Sequence, residues 1–285
     1  MTEISIIIPT CDRPFFLERA LHSIEKQTFK DFEVIVVDDG KENKGMAVVE
    51  KFNVWMDLIY LSNDVPMGVS WSRNVGASKA KGFFLAFLDD DDWWDSLFLE
   101  KVYYELVKKD IDIIAAGFWN VYESSVEYGK MPPAELVFND FFERNPGITG
   151  SNILIKKSVF NISGGFDEKL PTSNDIDFIL KLIQINVKYV ALKERLVYKN
   201  QQPGNNRLTL LNKRKALGSL RFYNKYKKMI TNTKVKKRIK SKVLLRLFIC
   251  NLTKKTNLKK YSFLVRSISL DPLMIIKMII KRKFV

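Results

Sequence analysis

The sequence predicts an α/β layer protein, a mostly parallel sheet flanked by helices, with a basic helical extension at its end. Three observations carry this reading. Short apolar runs rich in Ile and Val recur along the first two hundred residues, helical patterns separate them, and the charge changes sign near residue 206.

Ser5–Pro9, Phe32–Val37, Asp57–Leu61 and Phe83–Leu88 are continuous apolar runs without polar alternation. Such runs suit strands buried on both faces of a parallel sheet. Between them, Pro14 to Gln27 places Phe15, Phe16, Leu17, Ala20, Leu21 and Ile24 on one helical face, with Pro14 in the tolerated first turn. Ser70–Ala80 and Ser96–Lys109 read as further helices. Ile113–Phe118 and Asn152–Ile155 read as strands, Asp175–Ile185 as a helix and Val187–Ala191 as a last short strand. The irregular stretch before Pro146, with Pro132–Pro133 and several aromatics, is expected to supply an acceptor-facing subregion.

Of the 285 residues, 46% are apolar, ample for a buried core. The net charge of +15 hides a division. Residues 1–206 carry 23 Lys/Arg against 31 Asp/Glu; residues 207–285 carry 24 against the single acid Asp271. The expected organisation is therefore a catalytic domain over 1–206 and a basic amphipathic extension over 207–285. Basic clusters beside aliphatic stretches, Val243–Cys250 and Leu273–Ile280, suit a helix in an anionic membrane interface. A solvated helical bundle packed on the domain is the alternative. Nucleic acid is disfavoured as a partner, because no recognised nucleic-acid motif accompanies the charge. The two cysteines lie far apart and point to a reducing compartment. The opening MTEISIIIPT has no basic n-region, so no signal peptide is expected, and no apolar run approaches a membrane span.

Ligands of open parallel sheets bind outside the carboxyl ends of the strands. Here those ends carry Pro9-Thr10-Cys11-Asp12-Arg13, Asp38-Asp39-Gly40 and Asp89-Asp90-Asp91-Asp92. The four aspartates lie between FFLAFL and Trp93-Trp94. Crowded carboxylates raise one another's pKa unless a cation neutralises them, and Mg²⁺ or Mn²⁺ would do so while also holding a diphosphate. The plain alternative is a solvated acidic loop. A lone histidine, His22, argues against a His-based zinc site, and no GxGxxG or GxxxxGK[ST] occurs. Asp39 alone would read as a turn aspartate, and Ser173, Asn174 and Asp175 all suit the N-cap of the following helix.

SIIIPTCDR, QTFKDFEVIVVDDG, GVSWSRNVGASKAKGFFLAFLDDDDWW and GGFDEKLPTSNDIDF occur in that order. Together they resemble the motif series of the family 2 glycosyltransferases, inverting enzymes of the GT-A fold, here of the bacterial capsule or O-antigen type. The resemblance covers about Met1 to Arg207. It implies that Pro9 and Thr10 line the nucleotide, that Asp39 bonds its base, and that Asn63 and Arg73 lie near the nucleotide or its phosphates. Asp89 and Asp90 would contact the nucleotide-sugar, Asp91 would ligate Mn²⁺ or Mg²⁺, and Asp175 would be the general base. Where family members carry a histidine before Pro-Gly, this chain has Gln201-Gln202-Pro203-Gly204, so Gln202 or Arg207 is expected at the phosphates.

The implied function is transfer of a sugar from a nucleotide-sugar, typically a UDP-sugar, to a hydroxyl of a glycan or lipid-linked glycan in cell-surface polysaccharide synthesis. The expected location is cytoplasmic, peripheral at the inner face of the cell membrane. Alternative readings are a sugar nucleotidyltransferase and a non-catalytic membrane- or glycan-binding scaffold.

Overall fold

The computed structural model describes residues 2–54, 56–143, 145–202, 213–250 and 259–273. They fall into two compact units, one drawn from Met1–Leu136, Pro146–Glu168 and Asp175–Pro203, the other from Val137–Asn145, Lys169–Asn174 and Gly204–Val285.

The first unit is an α/β structure. In chain order it contains β1 (Ile4–Thr10), α1 (Pro14–Glu25), β2 (Phe32–Asp38), α2 (Met46–Phe52), β3 (Leu58–Ser62), α3 (Val69–Lys79), β4 (Phe84–Phe87) and β5 (Asp92–Trp94). Next come α4 (Phe98–Lys108), β6 (Ile113–Val121) and β7 (Val126–Tyr128). After α5 (Asp140–Glu143), which belongs to the second unit, follow β8 (Ile153–Lys156), α6 (Lys157–Ile162), α7 (Asn174–Gln184) and β9 (Tyr189–Asn200). The sheet order is β3-β2-β1-β4-β8-β6-β9-β5, with β7 on β6.

The strands β3, β2, β1 and β4 run parallel, and all seven residues of β1 are buried. This is the two-faced burial that continuous Ile/Val runs imply. Beyond β4 the sheet changes character: β8 is antiparallel to both β4 and β6, and β5 is antiparallel to β9. Helix α1 buries Leu17, Ala20, Leu21 and Ile24, spaced as one stripe, against the strands. Phe15, expected on that face, is 72% exposed, because it sits in the first turn off the stripe.

Two departures from the sequence reading matter for the site. The last strand is not a short one ending at Ala191 but continues to Asn200. The acid run does not end in a loop: Asp92 begins β5 and pairs directly with Lys199 of β9. The next residue of each strand faces the other side of the sheet. There Trp93 stacks on Tyr198 at 5.6 Å, and Arg19 of α1 lies 4.0 Å over the Trp93 ring.

The second unit holds α5 with α8 (Lys213–Tyr226), α9 (Thr233–Cys250) and α10 (Lys259–Leu270). Its core packs Phe142 against Phe222 and Tyr226 at ring separations of 5.9 and 5.8 Å. Ser241 of α9 donates to the Ser267 carbonyl of α10 at 2.7 Å. Lys234, Lys237 and Lys240 of α9 are exposed. Among the described residues, no helix is long and apolar enough to cross a membrane.

Candidate active site

The four consecutive aspartates alternate in direction. Asp90 and Asp92 turn inward and are 0% and 3% exposed; the side chains of Asp89 and Asp91 keep 27% and 22% of their surface accessible. Each inward acid is anchored to a different part of the sheet. Asp90 accepts from Thr10 Oγ1 at 2.7 Å and from Arg13 Nε at 3.0 Å, with a second ion-pair contact from Arg13 Nη2. Asp92 accepts from Ser151 Oγ at 2.7 Å and from the Asn200 amide at 3.2 Å, and its Oδ2 lies 3.5 Å from Lys199 Nζ. Burial pushes Asp90 up to about 7 against the pull of Arg13, and Asp92 up to about 6 against the pull of Lys199.

Of the outward acids, Asp91 faces Arg13, with Oδ2 3.6 Å from Nη1, while Asp89 belongs to a second network centred on Arg73 of α3. Its guanidinium is 2% exposed, donates to Asp89 Oδ1 at 2.5 Å and to Asp175 Oδ1 at 3.0 Å, and lies 4.9 Å over the Phe166 ring. Burial works against its charge, but the two carboxylates outweigh burial and hold it ionised. Asp89 responds in kind: burial would raise its carboxyl, yet Arg73 and Lys199 carry it below the usual range. Asp175 is raised, because burial and the Asp89 charge outweigh Arg73 and Lys199. A fork-shaped guanidinium can hold two carboxylates in fixed register, which a lysine cannot do. The space for it depends on Gly150, where an added Cβ would come within 2.7 Å of Arg73 Nη2.

Asp39 builds a third feature. Its Oδ1 accepts from Asn63 Nδ2 and the Met67 amide, and its Oδ2 from the Gly68 amide, each at 2.7 Å. The carboxylate thereby ties residues 63–68 to the end of β2. Gly68, just before α3, has φ 100°, a conformation that favours glycine. Pro9 and Thr10 end β1, and the Asp39 amide donates to the Thr10 carbonyl at 2.8 Å.

The structure thus brings Thr10, Arg73, Asp89, Asp90, Asp91 and Asp175 into linked networks at one end of the sheet, with Pro9, Asp39 and Asn63 beside them. Asp90 enters as an anchor whose carboxylate is taken up by the protein. Gln202 is exposed, and its amide donates to Asn200 Oδ1 at 2.9 Å. Gly204 and Arg207 lie outside the described residues, as does the Leu273–Ile280 stretch beyond Leu273. Sequence reasoning missed Arg13, Lys199 and Ser151. Arg13 stood in a quoted motif without a role. Lys199 was hidden because the strand was read as ending eight residues earlier.

The donor set fits a hard divalent cation. Carboxylate oxygens of Asp89, Asp91 and Asp92 can lie within 4.8 Å of one another. Five carboxylates, Asp89 to Asp92 and Asp175, are paired with three cations, Arg13, Arg73 and Lys199. Counted formally the carboxylates exceed these cations by two; with Asp90 pushed up to about 7 the excess at neutral pH is smaller but still negative, and oxygen ligands suit Mg²⁺ or Mn²⁺.

Comparison with known proteins gives the family and the fold of the chain. An "uncharacterized glycosyltransferase" of Haemophilus influenzae is 32% identical over 186 residues, 64% of this chain and 62% of that one. The Escherichia coli UDP-Glc:alpha-D-GlcNAc-diphosphoundecaprenol beta-1,3-glucosyltransferase WfgD is 26% identical over 55% of this chain and 62% of its own. The matches therefore span less than two thirds of either relative. The crystal structure of Staphylococcus aureus TarS 1-349 in complex with UDP-GlcNAc superposes with a TM-score of 0.65 at 20% identity, covering 94% of this chain and 80% of that one. The profile described as Glycosyl transferase family 2 matches residues 5–164, more than half of the sequence, and the chain belongs to that family.

Proposed function

We propose that this protein is an inverting glycosyltransferase that moves a sugar from a UDP-sugar to a hydroxyl of a glycan or lipid-linked glycan in cell-surface polysaccharide synthesis. The observation that carries the proposal is the Arg73 bridge, which holds Asp89 and Asp175 in one network. Asp89 belongs to the acid run and Asp175 stands at the start of α7, so the bridge fixes a donor-side acid against a base. The relatives' names support the donor and acceptor classes: WfgD carries UDP-Glc and a diphosphoundecaprenol-linked sugar in its name, and TarS has been solved with UDP-GlcNAc.

In this reading Asp175 accepts the proton of the acceptor hydroxyl as that oxygen attacks the anomeric carbon. Its raised carboxyl pKa brings its basicity nearer to neutral pH, where a general base works best. Arg73 orients the carboxylate and opposes its protonation. Asp39, Asn63, Pro9 and Thr10 form the nucleotide side, with Asp39 presenting residues 63–68 to the base. Asp91, with Asp89, would hold Mn²⁺ or Mg²⁺, which when bound supplies Lewis-acid charge to the departing diphosphate. Asp90 and Asp92 keep these two acids in place.

The basic unit favours an anionic membrane surface as the place of work, at the cytoplasmic face, because Lys234, Lys237 and Lys240 are exposed along one helix. Changing all three to glutamine is expected to lower cosedimentation with anionic vesicles and leave donor binding intact. Retained cosedimentation would remove the membrane from the proposal.

The central test is a panel of nucleotide-sugars scored by protection against thermal unfolding, with and without Mn²⁺, on the intact chain and on Asp91→Ala. Protection by a UDP-sugar that depends on Mn²⁺ in the intact chain and is lost in Asp91→Ala is the expected result. Equal, metal-independent protection of both proteins would refute the metal assignment, and no protection by any donor would refute the enzyme reading.

A further inference from the structure

Three acids stand close enough to share a cation, and each faces a cation of the protein, Asp89 Arg73, Asp91 Arg13 and Asp92 Lys199, but Asp92 is held at both of its carboxylate oxygens. Asp92 Oδ2 receives Ser151 Oγ and faces Lys199 Nζ at 3.5 Å, while Oδ1 receives the Asn200 amide. Lys199 cannot be treated as a surface lysine. Its side chain is 18% exposed, its Nζ is also 3.4 Å from Thr149 Oγ1, and the ammonium lies 5.6 Å over the Phe118 ring. The β5–β9 register puts it directly opposite Asp92, so backbone pairing delivers the charge to the carboxylate.

We infer that Lys199 is a resident cation of the acid cluster, and that it keeps Asp92 out of the ligand set. It thereby limits the site to one divalent ion on Asp91 and Asp89 and moderates the affinity for that ion. This is a specificity-determining role, distinct from proton transfer or donor contact. The physical reason is charge density. A carboxylate paired to an ammonium and saturated by two further donors attracts a second cation weakly. The same carboxylate without its ammonium is a third oxygen ligand within reach of the other two. Retaining the lysine keeps the ion exchangeable, which a site that must also let a nucleoside diphosphate go requires.

The inference rests on the metal reading above, and the two fail differently. The experiment is titration of the intact protein with Mn²⁺ alone, no nucleotide present, following free Mn²⁺ by electron paramagnetic resonance. The wild type is expected to bind one ion. Lys199→Met is expected to bind Mn²⁺ about tenfold more tightly, or to take a second ion, because one positive charge has left a cluster of close acids. Lys199→Arg, which keeps the charge, is expected to stay near wild type. Lys199→Met combined with Asp92→Asn is expected to fall back, because the released ligand is gone. Should Lys199→Met fail to fold, Lys199→Gln carries the same test with a polar contact retained. Unchanged or weaker affinity on loss of the lysine charge overturns the inference, as does a gain that survives Asp92→Asn. A wild type that binds no Mn²⁺ overturns the metal reading itself.

Discussion

Replacing Arg73 with methionine separates the roles assigned to the site more sharply than removing any acid. Methionine keeps an apolar stem against Phe166 but removes both ion pairs, to Asp89 at 2.5 Å and to Asp175 at 3.0 Å. Charge-assisted hydrogen bonds contribute roughly 1.5–3 kcal/mol each in favourable settings. Both partners keep about a quarter of their side-chain surface accessible, 27% and 24%, so water takes over part of the lost interaction. The expected loss of stability is therefore about 2–4 kcal/mol for the two bonds together, below the simple sum. The functional effect is larger and has a sign. Burial already raises the Asp175 carboxyl, and Arg73 is the chief influence pulling it down. Without the guanidinium that carboxyl rises further, so the ionised base is lost at a higher pH as the solution is acidified. The acid limb of the pH–turnover profile should move to higher pH, and the plateau should fall because the base is no longer oriented. The assay is donor turnover from pH 5 to 9, beside chemical denaturation at one pH. Arg73→Lys should restore charge but not the fork, and give an intermediate profile. An acid limb that stays in place, with turnover near wild type, would refute the coupling of Arg73 to the base.

Three further outcomes are expected. Asp175→Asn should lose about 10²–10⁴-fold in kcat while keeping donor affinity, since asparagine keeps a hydrogen-bonding oxygen for Arg73 in the first turn of α7 but cannot accept the proton; near-normal turnover would leave Asp175 as a partner of Arg73 and not a base. Gly150→Ala should displace Arg73, cost about 1–3 kcal/mol and lower turnover, because its Cβ would sit 2.7 Å from Nη2; a crystal structure of the variant with Arg73 unmoved would contradict this. Asp92 titrates at about 6 in the fold, above its unfolded value, so the native state holds a proton that the unfolded chain has released. Its contribution to stability is present below the unfolded pKa and is lost as pH rises through about 6. The melting temperature of metal-free Asp92→Asn relative to wild type should thus climb from about pH 4 to about pH 6 and level off above it, and a flat difference would show that Asp92 does not titrate there.

The parallel half of the fold was legible because a strand buried on both faces leaves a continuous apolar run, as in Ser5–Pro9 and Phe32–Val37, and needs no long-range information. The mixed half was not. The end of β9 carries Glu194, Arg195 and Lys199 among its apolar residues, and its continuation depends on pairing with β5 and β6 far away in sequence. The candidate site divided in the same way. Acids at strand ends could be seen in the sequence, and Asp89, Asp91, Arg73 and Asp175 do converge. Which acids face the ligand and which serve as anchors could not be seen. The direction of Asp90 is decided by Thr10 and Arg13, and that of Asp92 by Ser151 and Lys199, all remote in the chain.

The stacked Trp93 gives the site an optical consequence. Arg19 lies over its indole ring and donates through Nη2 to the Asp91 carbonyl at 2.6 Å. A shift of the Asp91 backbone would pull the guanidinium across the ring that it covers. A charge moving over an indole face alters the emission of that indole, so Trp93 is placed to act as an intrinsic fluorophore for loading of the acid cluster. Its neighbour Trp94 is 3% exposed, donates from Nε1 to the Ser151 carbonyl and stacks on Phe98 at 4.5 Å. That second indole is held in a buried, fixed setting, so with Trp55, Trp71 and Trp119 replaced by phenylalanine it supplies a steady background against which a red or blue shift from Trp93 can be read without any attached label.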